Sequence, residues 1–482
     1  MTEFAFESAL TLAKKISSKE IKSLDLVEYF IARIEKYNPL INAVVCERFE
    51  QAREEAKRAD LAVKANKALG CFHGVPITVK ESFNVVGLPT TFGLVSMADN
   101  FPAEDAIAIA RLKKAGAIIL AKTNVPINLS DYQSYNEVYG CTDNPWDITR
   151  TPGGSSGGSG AALAAGFGAL ELGSDIGGSV RSPAHYCGVF SHKPTWGIIP
   201  MQGQSMPGNQ VDFDMSVIGP VAKTAADLNA ALMVMKGPYD FQALGLRFDL
   251  AKPTKKLKDY KIAIWSDDAA APVAQSVKKA LDKVHRVLKD QGVTVNISAR
   301  PDFTGIEHKK VFEFLVWSVM GSRLSEPEYE AIKQEVAGLK SDDESDYAIT
   351  QRAKIASFRA HRLINNERQH IRRVWHRFFQ QYDVLILPVM ATEAFCHQHQ
   401  PFAQRFIDVD GDHRDYLEQI FWCGLANCSY LPATVIPTGL SDNGLPVGVQ
   451  IMGPEFADLI TLDVAEKLEA CGFVYSPPPH FC

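Results

Sequence analysis

Three side chains in this sequence have the types and settings needed to break an acyl bond. Lys80 ends the segment Gly74-Val-Pro-Ile-Thr-Val-Lys-Glu81. Ser155 lies in Thr151-Pro-Gly-Gly-Ser-Ser-Gly-Gly-Ser-Gly160, and Ser179 in Ser174-Asp-Ile-Gly-Gly-Ser-Val-Arg181. A lysine and two serines suffice for a base, a relay and a nucleophile without histidine. Lysine serves as a base only when its pKa is lowered, by desolvation or by nearby positive charge. The neighbours Val75, Ile77 and Val79 make a dry setting for Lys80. Glu81 opposes the shift unless strand alternation turns it away. Glycines beside each serine carry no Cβ, so backbone N–H groups can approach a substrate oxygen.

Other readings of these segments fail on their residues. A Walker loop ends in Gly-Lys-Ser/Thr, but Gly160 is followed by Ala161 and Ala162. A Gly/Ser linker would have polar flanks, whereas this one runs into an Ala-rich stretch. Gly153-Gly-Ser155-Ser-Gly157 matches the nucleophile elbow of α/β-hydrolases, but that motif needs a strand leading into it. Residues 144–152 carry two prolines and read as a loop. Ser276-Val-Lys-Lys279 matches Ser-x-x-Lys by chance on an amphipathic surface helix.

The elements that must hold the three residues alternate between strand and helix. Residues 4–45 read as two amphipathic helices, the second capped by Ser23. Strands are expected at 75–79, 117–121, 169–172 and 384–387, and helices at 104–116 and 159–167. The segment 175–179 reads as a turn, with a helix starting near Ser179. Residues 236–260 form a boundary. Residues 272–292, 306–322, 327–382 and 458–470 read as helical, and 430–453 as strands and turns. No internal repeat is present.

Net charge is −6 with a pI of about 6.1, which gives no reason to expect nucleic acid or an anionic membrane as partner. Nine cysteines, an odd number without a Cys-x-x-Cys pair, fit reduced thiols in a cytoplasmic protein. The first residues lack a signal peptide's basic and apolar regions, and no apolar run is long enough for a membrane span. His192 and the tract Cys396-His-Gln-His399 invite a metal reading. The tract reads as a loop with no acidic or further histidine partner nearby, and no metal is expected. His185 reads as structural. The stripe Phe312, Leu315, Val316 and Val319 reads as core more than pocket wall.

The run Gly153 to Arg181 resembles the amidase signature family. So do Gly74 to Lys80, Lys122-Thr-Asn-Val-Pro126, Gly140 to Trp146, Cys187-Gly188, Lys193-Pro-Thr195 and Gly444 to Pro454. Within the family, Leu129 to Asn136 lean towards the fatty-acid-amide-hydrolase-like and general amidase branches. The resemblance implies one α/β domain over residues 1–482, a central mixed sheet surrounded by helices. Its signature core would span about 70–225 and a helical insert about 255–382, with a return to the sheet over 383–482. It implies Ser179 as acylated nucleophile, Ser155 as bridging serine in a cis peptide with Gly154, and Lys80 as base. Backbone N–H groups of Ile176, Gly177, Gly178 and Ser179 would form an oxyanion hole, with Leu129 and Ser155 beside the substrate carbonyl. Ser156, Ser174, Asp175 and Arg181 would support them. The activity implied is hydrolysis of a small linear carboxamide through an acyl-enzyme, without cofactor; a homodimer is allowed. The alternative is the glutaminase component of a glutamyl-tRNA(Gln) amidotransferase. Three departures from the family pattern are Glu81 for Asp, Ser191-His192 for Gly and an apolar residue, and Trp196-Gly-Ile198. Substrate walls are expected from 125–136, 200–215, 306–322 and 390–430.

Overall fold

The computed structural model describes residues 4–343 and 345–482. Eleven strands form one sheet in the spatial order Val44–Glu47, Ile118–Thr123, Pro76–Lys80, Glu171–Asp175, Val217–Ala222, Phe190–Lys193, Ala433–Leu440, Pro446–Met452, Val384–Pro388, Lys261–Ile264, Thr294–Asn296. Pairing is mixed. Pro76–Lys80 runs parallel to both its neighbours, while the central strands pair antiparallel. Seven of these strands are buried along their whole length, so both faces of the sheet are covered. That explains why strands such as Ile118–Thr123 and Val384–Pro388 read as near-continuous apolar runs rather than alternating ones.

The sheet is what joins the chemical segments. Pro76–Lys80 and Glu171–Asp175 pair in parallel with Thr78 opposite Glu171 and Val79 opposite Leu172. Their carboxyl ends therefore lie on the same edge, bringing Lys80 level with Gly173, just before Ser174 and Asp175. The helix Gly157–Ala164 is buried throughout and starts directly after the two serines of the loop. Its glycines permit the close approach. A Cβ on Gly158 would lie 2.3 Å from the Asn124 nitrogen, and one on Gly154 would lie 2.3 Å from the Asp131 carbonyl oxygen.

Several expected elements appear with shifted ends, such as Ala9–Ser17, Ser23–Tyr37, Ile107–Lys114 and Gln275–Asp290. The span 327–382 divides into Glu326–Gly338, Asp346–Lys354 and Phe358–Phe379. Ser23 does not cap its helix: Lys22 holds the cap position, and the Ser23 hydroxyl donates to the Gly74 carbonyl at 2.7 Å. Asp175 ends a strand rather than opening a turn, because its backbone pairs with Val217. No strand leads into Ser155, which removes the elbow reading. Lys279 is exposed and ion-paired with Asp442, away from any serine chemistry. Among the described residues no helix is long and apolar enough to cross a membrane.

Candidate functional site

Lys80, at the end of its strand, is fully buried. Its Nζ lies 2.7 Å from Ser155 Oγ and 3.1 Å from Ser174 Oγ. Burial, above all, pulls the ammonium down from 10.5 to about 7; Asp175 opposes the shift, and Arg323 reinforces it. Glu81 also opposes it but is turned aside. Its carboxylate accepts from the Phe92 amide at 3.0 Å, from the Thr91 amide at 2.5 Å and from the Tyr139 hydroxyl at 3.1 Å.

A low lysine pKa alone does not single out Lys80. Lys193 and Lys223 are also pulled to about 7, and Lys122 to about 8, by burial. Their amines donate to backbone carbonyls: Lys122 to Glu81, Lys193 to Leu431, Lys223 to Gly168. Among these four, Lys80 is the one whose amine meets the hydroxyl of a glycine-framed serine.

The peptide between Gly154 and Ser155 is cis. Ser155 and Ser179 line the same cleft, together with Ser174, Ile176 and Leu129. The two hydroxyls make no hydrogen bond to one another among the described residues. Their segments are tied through backbone instead, with the Ser156 amide donating to the Ser179 carbonyl at 3.1 Å. The Ser156 hydroxyl donates to the Ser174 carbonyl at 3.4 Å.

The segment after Asp175 is held from below by that carboxylate. Asp175 accepts from the Gly178 amide at 2.9 Å and the Val180 amide at 3.1 Å, from Arg181 Nε and Nη2 at 3.0 and 2.9 Å, and from Asn427 at 3.1 Å. Opposed by its own burial, Asp175 is nonetheless held well below the usual carboxylate range, chiefly by Arg181. Arg181 in turn donates to Gln450 Oε1 at 2.8 Å and the Cys423 carbonyl at 3.0 Å. The pair is fully buried, so the surface-pair reading does not apply.

The Gly178 N–H, one of the four amides expected to meet a substrate oxygen, donates to Asp175 at 2.9 Å in this structure. Ile176, Gly177 and Ser179 keep amides free of such bonds among the described residues. Gly178 sits at φ 114°, and a Cβ there would meet Cys423 Sγ at 2.8 Å, so glycine is required on both counts. The Tyr132 hydroxyl pins the next carbonyl, donating to Gly177 at 2.6 Å. Leu129 has a left-handed φ of 57° and lines both clefts that Ser179 lines.

The walls come from the expected regions, including Gln204 and Phe213, Val319 and Met320, and Leu417 and Ile420. Phe92 and Arg323 fall outside those regions, and no local pattern marked them. The aromatic–aliphatic stripe divides by position: Phe312 and Leu315 are fully buried core, while Val316 and Val319 line the clefts. His185 is buried between the Gly448 and Thr392 carbonyls, each 3.0 Å away, and is structural. His192 sits between Thr434 and Asp458 in the sheet interior. The tract at 396–399 does have partners, contrary to the sequence reading: Asp143 Oδ1 lies 3.0 Å from His397 Nε2, and Cys141 lies beside both histidines.

A family model described as Amidase matches residues 25–462. The chain belongs to the amidase signature family. It is 31% identical over 493 residues to fatty-acid amide hydrolase 2-A of Danio rerio, covering 96% of this chain and 88% of that protein. It is 29% identical to the A component of the glutamyl-tRNA(Gln) amidotransferase of Alkaliphilus metalliredigens, covering 95% of each. Among solved structures, a 6-aminohexanoate cyclic dimer hydrolase complexed with substrate superposes with a TM-score of 0.79 at 26% identity, covering all of both chains. Membership carries the enzyme class: a hydrolase of amide carbon–nitrogen bonds.

Proposed function

We propose that the chain hydrolyses linear carboxamides through an acyl-enzyme on Ser179, with Ser155 as proton relay and Lys80 as base. The observation that supports this most strongly is the buried Lys80 amine, lowered to about 7 and 2.7 Å from Ser155 Oγ. At neutral pH about half of such amines are uncharged and able to accept a proton.

In this reading neutral Lys80 takes the Ser155 proton as Ser155 takes the Ser179 proton. Ser179 Oγ bonds to the amide carbon, and the carbonyl oxygen becomes an oxyanion facing the Ile176, Gly177 and Ser179 amides. The proton then passes from Lys80 through Ser155 to the amide nitrogen, the C–N bond breaks and the amine leaves. Water, deprotonated by the same route, attacks the ester; the bond from the acyl carbon to Ser179 Oγ breaks, the proton passes back through Ser155 to Ser179, and the carboxylate leaves. The missing hydrogen bond between the two serines fits a free enzyme, in which catalytic contacts tighten only around substrate. Asp175 and Arg181 position the turn; Ser174 holds the Lys80 amine.

The test is covalent. Treatment with a fluorophosphonate, followed by peptide mass mapping, should place the adduct on Ser179, and Ser179→Ala should lose both adduct and turnover while keeping its melting temperature. An adduct on Ser155 would overturn the assignment.

A second reading, glutamine-dependent transfer of ammonia, is favoured by the 29% identity to an amidotransferase component. Ammonia release from glutamine but not from other carboxamides would select it.

A further inference from the structure

The two clefts that share Ser179 differ in kind. One holds Ser155, Ser174, Gln204 and Arg323. The other lacks Ser155 and is walled by Tyr132, Val316, Trp317, Phe402, Leu417 and Ile420. If Ser155 delivers the proton to the departing nitrogen, as proposed above, the nitrogen must face the first cleft. The acyl chain then extends into the second, apolar one.

Arg323 is the unusual group on the leaving side. It has no carboxylate partner among the described residues. Its Nε is buried without a hydrogen-bond partner. Its Nη2 donates to Asn128 Oδ1, and its guanidinium lies 5.6 Å from the centre of the Phe213 ring. Burial alone lowers it to about 10. A half-buried guanidinium with no carboxylate beside it is costly unless something negative joins it. Asp175, the acid lining the same cleft, is already neutralised by Arg181. Guanidinium's planar fork matches a carboxylate.

We propose that the preferred substrate is an amide between an apolar acyl chain and an amine bearing a carboxylate, an N-acyl amino acid, with Arg323 binding the carboxylate. This inference rests on the Ser155 relay reading. The test compares N-octanoylglycine with the neutral N-octanoylglycinamide, plus a shorter N-butanoylglycine. Wild type should favour the carboxylate over its neutral twin by at least tenfold in kcat/KM, and octanoyl over butanoyl by about fourfold per methylene. Arg323→Gln should lose on the order of 10²-fold on the carboxylate substrate and only a few-fold on the neutral twin, the part owed to its effect on Lys80, and Arg323→Lys should recover part of the carboxylate preference. A melting temperature within a degree or two of wild type shows that the variant is folded. If Arg323 merely tunes Lys80, Arg323→Gln will shift both substrates together, and the inference falls. It also falls if wild type shows no preference. Ser179→Ala separates the two claims, because its full activity would sink the relay reading first.

A second, independent observation concerns the surface cluster of Cys141, His397 and His399. Cys141 Sγ lies 3.8 Å from His397 Nδ1 and 3.9 Å from His399 Nε2, and the three ligand atoms lie within 4.8 Å of one another. A tetrahedral Zn²⁺ would hold sulfur and nitrogen about 3.5 Å apart. His397 Nε2 lies 3.0 Å from Asp143 Oδ1 but makes no hydrogen bond there; a small turn of the ring would give it the outer carboxylate that such ligands commonly have. We infer a Zn²⁺ site with these three ligands, joining the 140–143 segment to the 396–399 loop. Protein without an affinity tag should bind one equivalent of Co²⁺ with a sulfur-to-cobalt charge-transfer band. Cys141→Ser should abolish the band, and His399→Ala should weaken binding. Absence of stoichiometric binding, or an unchanged band in Cys141→Ser, would overturn the inference.

Discussion

The sharpest consequence of the buried lysine is the pH dependence of acylation. An amine left at its ordinary value of 10.5 is neutral in roughly one molecule in 3,000 at pH 7. Lowered to about 7, as burial does here, it is neutral in about half. The site therefore raises the population of competent base by roughly 10³-fold, equivalent to about 4 kcal/mol. Because the uncharged amine is the active form, kcat/KM should rise with pH, about tenfold per unit well below pH 7, and flatten above it. Lys80→Ala should lower kcat/KM by roughly 10²–10⁴-fold and remove this limb. The assay is kcat/KM from pH 5.5 to 9.5 on one amide whose own groups do not titrate in that range. Glu171 provides the internal challenge, since burial also raises its carboxyl to about 7. It sits nearby, accepting from Thr78 and from Thr123. A limb near pH 7 that survives in Lys80→Ala but vanishes in Glu171→Gln would refute the assignment of Lys80. A limb centred above pH 9 in wild type would refute the lowered amine.

Two structural variants test the frame around the site. Asp175→Asn leaves Arg181 buried without its charge partner and loosens the Gly178 amide, at a cost of about 3–5 kcal/mol. For a chain of this size that is about 3–5 °C in melting temperature by calorimetry, with kcat falling more than KM rises; a variant as stable and active as wild type would show that the turn holds itself. Gly154→Ala puts a Cβ 2.3 Å from the Asp131 carbonyl oxygen and 2.5 Å from that of Gln133, both backbone. It should lose about 3 kcal/mol or more and most soluble expression; normal yield and melting would contradict the close packing described.

Local chemistry was legible where it is carried by contiguous residues. The glycine-framed serines, the apolar strand ending in Lys80 and the acid–arginine pair after it each lie within one short segment. Amphipathic helices such as Gln275–Asp290 were legible for the same reason, a periodic face. Short strands such as Val44–Glu47 and Thr294–Asn296 carried no such signal, being a few residues long and stabilised by the partner that covers them.

Residue types and their order along the chain were enough to name an α/β architecture and the family, and to propose a serine–lysine chemistry. They were not enough to say which donors stay free or what shares a cleft, since those depend on contacts between segments far apart in sequence. That the Gly178 N–H donates to Asp175 is visible only once the fold sets the two groups together. Arg323 carried no motif and gains meaning only by lying, unpaired, in the Ser155 cleft. The loop at 396–399 looked partnerless because Cys141 and Asp143 stand more than two hundred residues away. Pairing preferences are short-ranged in space and blind to sequence distance, so only the packed sheet decides them.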